Sequence, residues 1–232
     1  MSRILKVAAA QLGPIALDEP RSSAVGRMIV LLQNAKAQGA ELVIFPELAL
    51  TTFFPRWYTE DQSEIDKYFE TEMPNKDTEP LFAEARKLKI GFNFGFAELV
   101  VEKRVTRHFN TAIIVDQQGR IAAKYRKIHL PGHTENEPWR AFQHLEKRYF
   151  EKGNLGFQVH QVFGGKIGMC ICNDRRWPET FRVMGLQGVE LVALGYNTPA
   201  HYPLAPEHDH LQDFHNHLVL QAAAYQNGTW IV

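Results

Sequence analysis

Cysteine is scarce in this sequence, with only Cys170 and Cys172 among 232 residues. Two cysteines cannot build the disulfide framework that many small secreted domains depend on. Two positions apart on a strand, their Cα atoms would be separated by about 6.6 Å, at the strained upper limit for a bridge. We therefore expect reduced thiols and a cytoplasmic protein.

The chain also lacks an excess of either charge, since 26 Lys and Arg residues balance 26 Asp and Glu residues. Without a long basic or acidic run, neither a nucleic acid nor a membrane surface is an expected partner. No apolar run approaches the roughly 20 residues that a membrane-spanning helix needs. A glycine-rich dinucleotide fingerprint and a phosphate loop are both missing, so we expect no cofactor and a small-molecule substrate as the partner.

Histidines recur between Glu207 and His217, a pattern that invites a metal assignment. His208 and His215 are seven residues apart, which is two helical turns or about 10.5 Å. The same spacing separates His210 from His217, and it is too long for two ligands of one ion. The sequence therefore predicts no metal site.

Apolar residues make up 45% of the chain, enough for the core of a single domain spanning residues 1–232. Their helical spacing predicts four helices: 22–38, 80–88, 178–188 and about 207–225. Short apolar runs predict seven strands: 4–11, 41–45, 91–101, 110–116, 120–130, 166–172 and 190–194. This alternation, with a hairpin signal at 117–119, indicates the α/β (α+β) class and a mixed sheet covered by helices.

Residues 230–232 predict another strand, and the sequence ends at residue 232. An unfinished apolar strand leaves an open sheet edge, which is an aggregation risk. We therefore expect that the C-terminal part of the domain is missing from this chain, or that a partner covers the edge.

Three chemically versatile side chains come at the ends of predicted strands. Glu47 follows the strand at 41–45, Lys127 closes an apolar stretch after residue 120, and Cys172 ends the strand at 166–172. A thiol needs a neighbouring base or positive charge to attack near neutral pH. A buried Glu47 can be that base, and Lys127 can stabilise an oxyanion. Each residue also has an ordinary interpretation, as a solvated charge or a small core residue.

The segments around these residues resemble the nitrilase, or carbon–nitrogen hydrolase, superfamily. They read FPEL at 45–48, YRKIHL at 125–130 and CNDRRWPE at 172–179. Members of that superfamily have an α-β-β-α sandwich with mixed sheets and a Glu-Lys-Cys triad. The resemblance implies that Glu47 is the base, that Lys127 stabilises the oxyanion and that Cys172 is the nucleophile.

Within the superfamily, four further blocks resemble the N-carbamoyl-D-amino acid amidohydrolases: LTTFFPRW at 50–57, LPGH at 130–133, QHLEKRYF at 143–150 and GYNTP at 195–199. The resemblance implies hydrolysis of the ureido C–N bond of N-carbamoyl-D-amino acids, through a carbamoyl thioester, to the D-amino acid, carbon dioxide and ammonia. It also implies a homodimer or homotetramer. The D enantiomer rests on the resemblance alone. The alternatives are an amidase or β-ureido acid hydrolase of the same superfamily, and a truncated, non-catalytic binding or assembly module.

The superfamily's second glutamate best matches Glu146, with Glu135 and Glu137 as the other candidates. Two residues before Glu146, His144 is a candidate to line the pocket. Cys170 shares a predicted strand face with the nucleophile, but the superfamily's pattern places the nucleophile directly before Asn-Asp. We therefore interpret Cys170 as a packed thiol.

Candidate substrate-binding residues follow the nucleophile. Arg175 and Arg176 can hold a substrate carboxylate through charge-assisted hydrogen bonds, and an ordinary structural ion pair is the alternative for either one. The backbone N–H of Asn173 can help Lys127 to hold the oxyanion, and Asn197 can contact the carboxylate or the ureido group.

His129 is a further candidate to line the pocket. If the predicted strand continues past Lys127, His129 lies two residues further along and on the same face as Lys127. A structural histidine with its hydrogen bonds satisfied is the alternative.

Overall fold

The computed structural model of the chain describes residues 3–140, 142–202 and 206–232. The strands are β1 Val7–Ala9, β2 Leu42–Ile44, β3 Gly91–Glu102, β4 Val105–Val115, β5 Ile121–Arg126, β6 Val159–Val162, β7 Gly165–Ile171, β8 Leu191–Gly195 and β9 Trp230–Ile231. The helices are α1 Arg21–Ala37, α2 Gln62–Asp66, α3 Glu79–Leu88, α4 Glu146–Tyr149, α5 Pro178–Leu186 and α6 Asp209–Asn227.

The strands form two mixed sheets. The first has the order β1-β2-β3-β4-β5, parallel from β1 to β3 and antiparallel from β3 to β5. The second has the order β6-β7-β8-β9, with one antiparallel pair, β6 with β7, followed by two parallel pairs. Mixed sheets confirm the predicted class.

Alternating side chains explain why the two sheets stack. Leu42 and Ile44 of β2 point to an apolar cluster that they share with Ile167 and Met169 of β7. Val43, between them, points to the opposite face, which packs against α1 and α3. Because successive strand residues face opposite sides, one short apolar run can serve both layers.

The second sheet is covered in the same way on its outer side. Cys170 and Val192 pack there with Phe181 of α5 and Ala223 of α6. The layers are therefore helices, sheet, sheet and helices, which confirms the predicted α-β-β-α sandwich. Cys170 lies on the helix-facing side, fully buried, as expected of a packed thiol.

The predictions of strand structure at Lys127 and Cys172 were wrong. The predicted strand at 120–130 ends at Arg126, so Lys127 and the residues after it lie in a loop. Cys172 begins a short 3₁₀ helix, Cys172–Arg176, and therefore shares no strand face with Cys170. None of the helices among the described residues is long and apolar enough to cross a membrane.

Candidate active site

Glu47 lies three residues beyond β2, in a segment that continues alongside β3. The amide of Phe45 donates to the carbonyl oxygen of Asn93 on β3 at 2.8 Å. The side-chain amide of Asn197, which follows β8, donates to the backbone carbonyl oxygen of Glu47 at 2.6 Å. The backbone of Glu47 is therefore held from both sheets.

The end of β8 approaches Glu47 so closely that a side chain would not fit. A Cβ atom on Gly195 would lie 2.9 Å from the carbonyl oxygen of Phe45 and 3.1 Å from the amide nitrogen of Glu47. Gly95 of β3 is confined from the other side, where a Cβ atom would lie 3.0 Å from Cα of Glu47. The two glycines thus allow both sheets to pack against the glutamate backbone.

Lys127 is the first residue after β5, and its amide donates to the carbonyl oxygen of Asn110 on β4 at 2.8 Å. Its Nζ lies 2.6 Å from Oε1 of Glu47 and 2.6 Å from Oε2 of Glu146. All three side chains are at most 1% exposed. An ammonium group has three N–H donors, so one remains after these two contacts.

Glu146 opens α4 and is the glutamate that joins the cluster. Its second oxygen, Oε1, lies 3.0 Å from Nε2 of His144, which lines the adjoining cavity. Of the other two candidates, Glu137 pairs with Arg140 and Glu135 is exposed. The structure thus places Glu47, Lys127 and Glu146 together, although 80 residues separate the first two in the sequence.

The pKa values of the two carboxyl groups of the cluster are shifted in opposite directions. Burial raises the pKa of Glu47, and Lys127 opposes this while the charge of Glu146 adds to it. Burial also works against the charge of Glu146, but Lys127 and His144 outweigh it and lower the pKa of this carboxyl. Burial likewise disfavours charge on Lys127, yet Glu146 and Glu47 together raise the pKa of the ammonium group. Of the two carboxyls, Glu47 therefore has the higher pKa.

Cys172 has a strained backbone. Its φ is 44°, in the left-handed region that costs a residue with a side chain about 1–3 kcal/mol and that is frequent at active sites. Buried Asp174 holds this turn, because it accepts hydrogen bonds from the amide of Ile171 at 3.0 Å and the hydroxyl of Tyr125 at 2.8 Å. This turn, stabilised by Asp174, places the thiol at the end of β7.

The thiol of Cys172 is protonated at neutral pH. Burial raises its pKa to about 12, the negative charge of Glu47 contributes in the same direction, and Lys127 opposes both. A thiol in this state attacks only if a base removes its proton during the reaction. In Glu47, Oε2 is buried and has no hydrogen-bond partner among the described residues.

One cavity of about 300 Å³ contains Glu47, Glu146 and Cys172 in its wall. The remaining side chains of the wall are largely polar or cationic, among them Arg56, His144, Asn173, Arg176, Asn197 and Tyr202. A larger cavity of about 970 Å³ adjoins it through Glu47 and Arg56, but its wall does not include Cys172. We therefore assign the candidate active site to the smaller cavity.

The two predicted arginines have different surroundings. Arg175 is buried, and its guanidinium donates to Asn216 at 2.8 Å, to Thr198 at 2.8 Å and to the carbonyl oxygen of Cys172 at 2.7 Å. Arg176 is exposed and lines the cavity. Most donors of Arg175 are therefore occupied by the protein, whereas Arg176 is available to a ligand.

His129 does not share the face of Lys127, because β5 has already ended. Its Nδ1 lies 3.0 Å from Asp174, and its ring stacks on Trp177 with centroids 5.1 Å apart. The side chain of Asn173 donates to the carbonyl oxygen of His129 at 3.0 Å. His129 is not among the residues of the cavity wall, and it supports the turn that follows Cys172 instead.

Sequence reasoning did not single out Arg56 and Asn110. Arg56 lines the cavity, and its guanidinium lies 4.7 Å from the ring centroid of Phe142. Only its place in the LTTFFPRW block could have indicated it. Asn110 contacts Glu47 from the middle of β4, where its position carries no local signal. Among the described residues, no group of three or more His, Cys, Asp or Glu side chains could hold a metal ion.

Comparison with known proteins identifies the family. A model of the carbon-nitrogen hydrolase family matches residues 6–232, and the chain belongs to this family. An N-carbamoylputrescine amidase from Arabidopsis thaliana is 32% identical over 162 residues, 70% of this chain and 49% of that protein. A citrullinase from Francisella tularensis is 27% identical over 212 residues, 90% of this chain and 67% of that protein. The chain thus spans about half to two-thirds of the length of these relatives.

Solved structures show the same fold. A carbon-nitrogen hydrolase from Helicobacter pylori superposes with a TM-score of 0.76 at 24% identity, covering 98% of this chain and 70% of that one. An amidase from Nesterenkonia superposes with a TM-score of 0.72 at 20% identity, covering 98% and 78% of the two chains. The curated relatives carry names for several substrates, so specificity for N-carbamoyl-D-amino acids stays a prediction.

Proposed function

We propose that this chain hydrolyses the C–N bond of a small ureido or amide compound through a thioester on Cys172. One observation carries this proposal: the protonated thiol of Cys172 and the carboxyl of Glu47, whose pKa is raised, both line the same cavity. Nζ of Lys127 lies 2.6 Å from Oε1 of that carboxyl. A nucleophile, a base and a cation at one position are the groups that acyl transfer needs.

The first half of the reaction forms the thioester. Oε2 of Glu47 takes the proton of Cys172 while the sulfur attacks the ureido carbonyl carbon. The remaining N–H donor of Lys127 and the backbone N–H of Asn173 hold the oxyanion of the tetrahedral intermediate. When the intermediate collapses, the bond to the terminal nitrogen breaks, and Glu47 delivers its proton to the departing ammonia.

The second half releases the product. Glu47 takes a proton from water, whose oxygen attacks the carbonyl carbon of the thioester, and the thiolate leaves and takes that proton back. The product is a carbamate, which decomposes to carbon dioxide and the free amine. Each proton that Glu47 accepts is returned, so the chain is regenerated without a cofactor.

The substrate that fits this site best is an N-carbamoyl amino acid. Arg176 offers a guanidinium at the cavity, whereas the donors of Arg175 are largely occupied. A carboxylate on the substrate can pair with this cation through charge-assisted bonds. The names of two relatives, N-carbamoylputrescine amidase and citrullinase, also denote ureido substrates. The preference for the D enantiomer rests on the resemblance of four sequence blocks.

Ammonia release from three compounds tests the proposal. We expect turnover of N-carbamoyl-D-phenylalanine, slower turnover of its L enantiomer, and little turnover of propionamide, which has no carboxylate. Cys172→Ala abolishes ammonia release, and Cys170→Ser retains it because Cys170 faces the helices rather than the cavity. Full turnover by Cys172→Ala refutes the thioester mechanism, and a preference for propionamide makes the chain an amidase.

We also propose that the chain assembles into a homodimer or homotetramer. Adjacent helices α5 and α6 expose large apolar side chains, among them Leu186 at 80%, Phe214 at 58% and Tyr225 at 90% exposure. Burying such a face in an interface removes it from water. Light scattering of the purified chain measures the assembly, and a monomer at micromolar concentration contradicts this proposal.

A further inference from the structure

Asn110 contacts both members of the pair formed by Glu47 and Lys127. It is fully buried in the middle of β4, paired with Ala97 of β3. Its side-chain Nδ2 donates to Oε1 of Glu47 at 2.7 Å, and its backbone carbonyl oxygen accepts from the amide of Lys127 at 2.8 Å. One residue therefore fixes the carboxyl of Glu47 and the start of the loop that carries Lys127.

The two oxygens of Glu47 differ sharply in their contacts. Oε1 accepts from Nδ2 of Asn110 at 2.7 Å and from Nζ of Lys127 at 2.6 Å. Oε2 is buried and has no partner among the described residues. The amide orientation of Asn110 is set by chemistry, because the reverse orientation would place its Oδ1 against a carboxylate oxygen.

We propose that Asn110 is a positioning residue that keeps Oε1 of Glu47 occupied, so that Oε2 alone accepts the proton of Cys172. The proposal rests on the proposed function, since it assigns the proton-carrying oxygen of that reaction. Without the Asn110 donor, Oε1 has only Lys127 as a partner, and a proton can settle on Oε1 instead of Oε2.

The charge state of Glu47 responds to the same contact. Burial raises the pKa of Glu47, and the hydrogen bond from Asn110 is one of the contacts that oppose this. The other charged or titratable groups around Glu47 come from separate elements of the fold: Lys127 after β5, Glu146 of α4, Cys172 after β7, and Arg56, His144 and Arg176 of the cavity wall. A variant at position 110 leaves all of these in place.

Alkylation of the Cys172 thiol by iodoacetamide as a function of pH tests the proposal. Mass spectrometry of the intact chain and of its peptides follows the rate, so no substrate needs to be known. The parent chain is expected to react at Cys172, with a rate that rises as Glu47 loses its proton. In Asn110→Leu that rise moves to higher pH by at least about one unit, because a hydrogen bond to a charged group is lost.

Two further variants make the result decisive. Asn110→Asp keeps the shape of the side chain, replaces the donor by a second carboxyl and moves the rise upward as well. Thr111→Val is the matched control, because the neighbouring Thr111 donates its hydroxyl to buried Glu98 at 2.8 Å, outside the cavity. Its pH profile is expected to coincide with that of the parent.

The outcomes separate the two proposals. An unshifted profile in Asn110→Leu, with a thermal unfolding curve like that of the parent, overturns the positioning role of Asn110. If Asn110→Leu does not fold, an unshifted profile in Asn110→Asp overturns it. If the parent chain shows no preferential reaction at Cys172, the proposed function fails, and the inference about Asn110 fails with it.

Discussion

Replacing Lys127 tests the buried cluster with an internal control, because a second lysine lies three residues earlier. Nζ of Lys127 lies 2.6 Å from both Glu47 and Glu146, and these side chains are at most 1% exposed. Nζ of Lys124 also lies 2.6 Å from a carboxylate oxygen, that of Glu98, yet its side chain is 39% exposed. The two lysines differ in burial and not in the length of their contacts.

The difference in burial determines how much stability each substitution is expected to cost. Removing one partner of a buried ion pair costs about 3–5 kcal/mol, because the remaining charge is left without compensation. A pair that water reaches contributes about 0–1 kcal/mol. Lys127→Met should therefore lower the free energy of unfolding at pH 8 by about 3–5 kcal/mol, and Lys124→Met by about 0–1 kcal/mol.

The loss in Lys127→Met should also depend on pH. Without the ammonium, burial and mutual repulsion raise the pKa values of Glu47 and Glu146 above the value of about 4.3 in the unfolded chain. Groups whose pKa is raised by folding stabilise the folded state below the unfolded pKa, and this contribution is lost as pH rises through the folded pKa. The deficit of the variant relative to the parent is therefore smaller at pH 5 than at pH 8.

Urea unfolding followed by tryptophan fluorescence at pH 5 and pH 8 measures these differences. The double variant Lys127→Met, Glu146→Gln removes one anion together with the cation and should recover part of the loss. A deficit in Lys127→Met that is equal at both pH values would refute the electrostatic reasoning. An equal deficit in Lys124→Met would show that burial does not determine the contribution of these lysines.

Two further pairs of substitutions test the cavity and the position of Glu47. Arg176→Leu should raise KM for an N-carbamoyl amino acid by at least about tenfold with an unchanged melting curve, because it removes a charge-assisted bond worth about 1.5–3 kcal/mol. Arg175→Leu should instead lower the melting temperature, since it removes three hydrogen bonds within the protein. Gly195→Ala should reduce turnover by displacing Glu47, whereas Gly26→Ala in α1, with no neighbouring atom within 4 Å, should add about 0.5–1 kcal/mol to the stability measured in urea.

The layers of the fold follow from patterns that are local in the sequence. Leu42, Val43 and Ile44 alternate between the two faces of β2, and both faces require apolar residues because both are covered. Such a run predicts a buried strand before any partner is known. The polar residues that follow these strands lie at sheet ends, which is why Glu47 and Cys172 could be recognised as candidates.

Other features depend on contacts that the sequence does not display. The turn between β3 and β4 places Lys103 and Arg104 at φ values of 52° and 67°, although neither residue is typical of such a turn. The predicted strand at 110–116 accordingly began too late, since β4 starts at Val105. Arg175 and Arg176 are neighbours of identical chemistry, and contacts with Asn216, Thr198 and the carbonyl oxygen of Cys172 determine which one is occupied.

The asymmetry between Glu47 and Glu146 is the strongest physical argument for the proposed roles. Both carboxyls contact the same ammonium at the same distance, so Lys127 alone does not distinguish them. His144 adds a second partner to Glu146 and lowers its pKa. In Glu47, by contrast, one oxygen has no partner among the described residues, and the pKa is raised. When the pKa values of two neighbouring carboxyls are separated in this way, the two groups can take different roles in acid–base catalysis. In the proposed mechanism, Glu146 keeps Lys127 charged throughout the reaction, and Glu47 carries the proton.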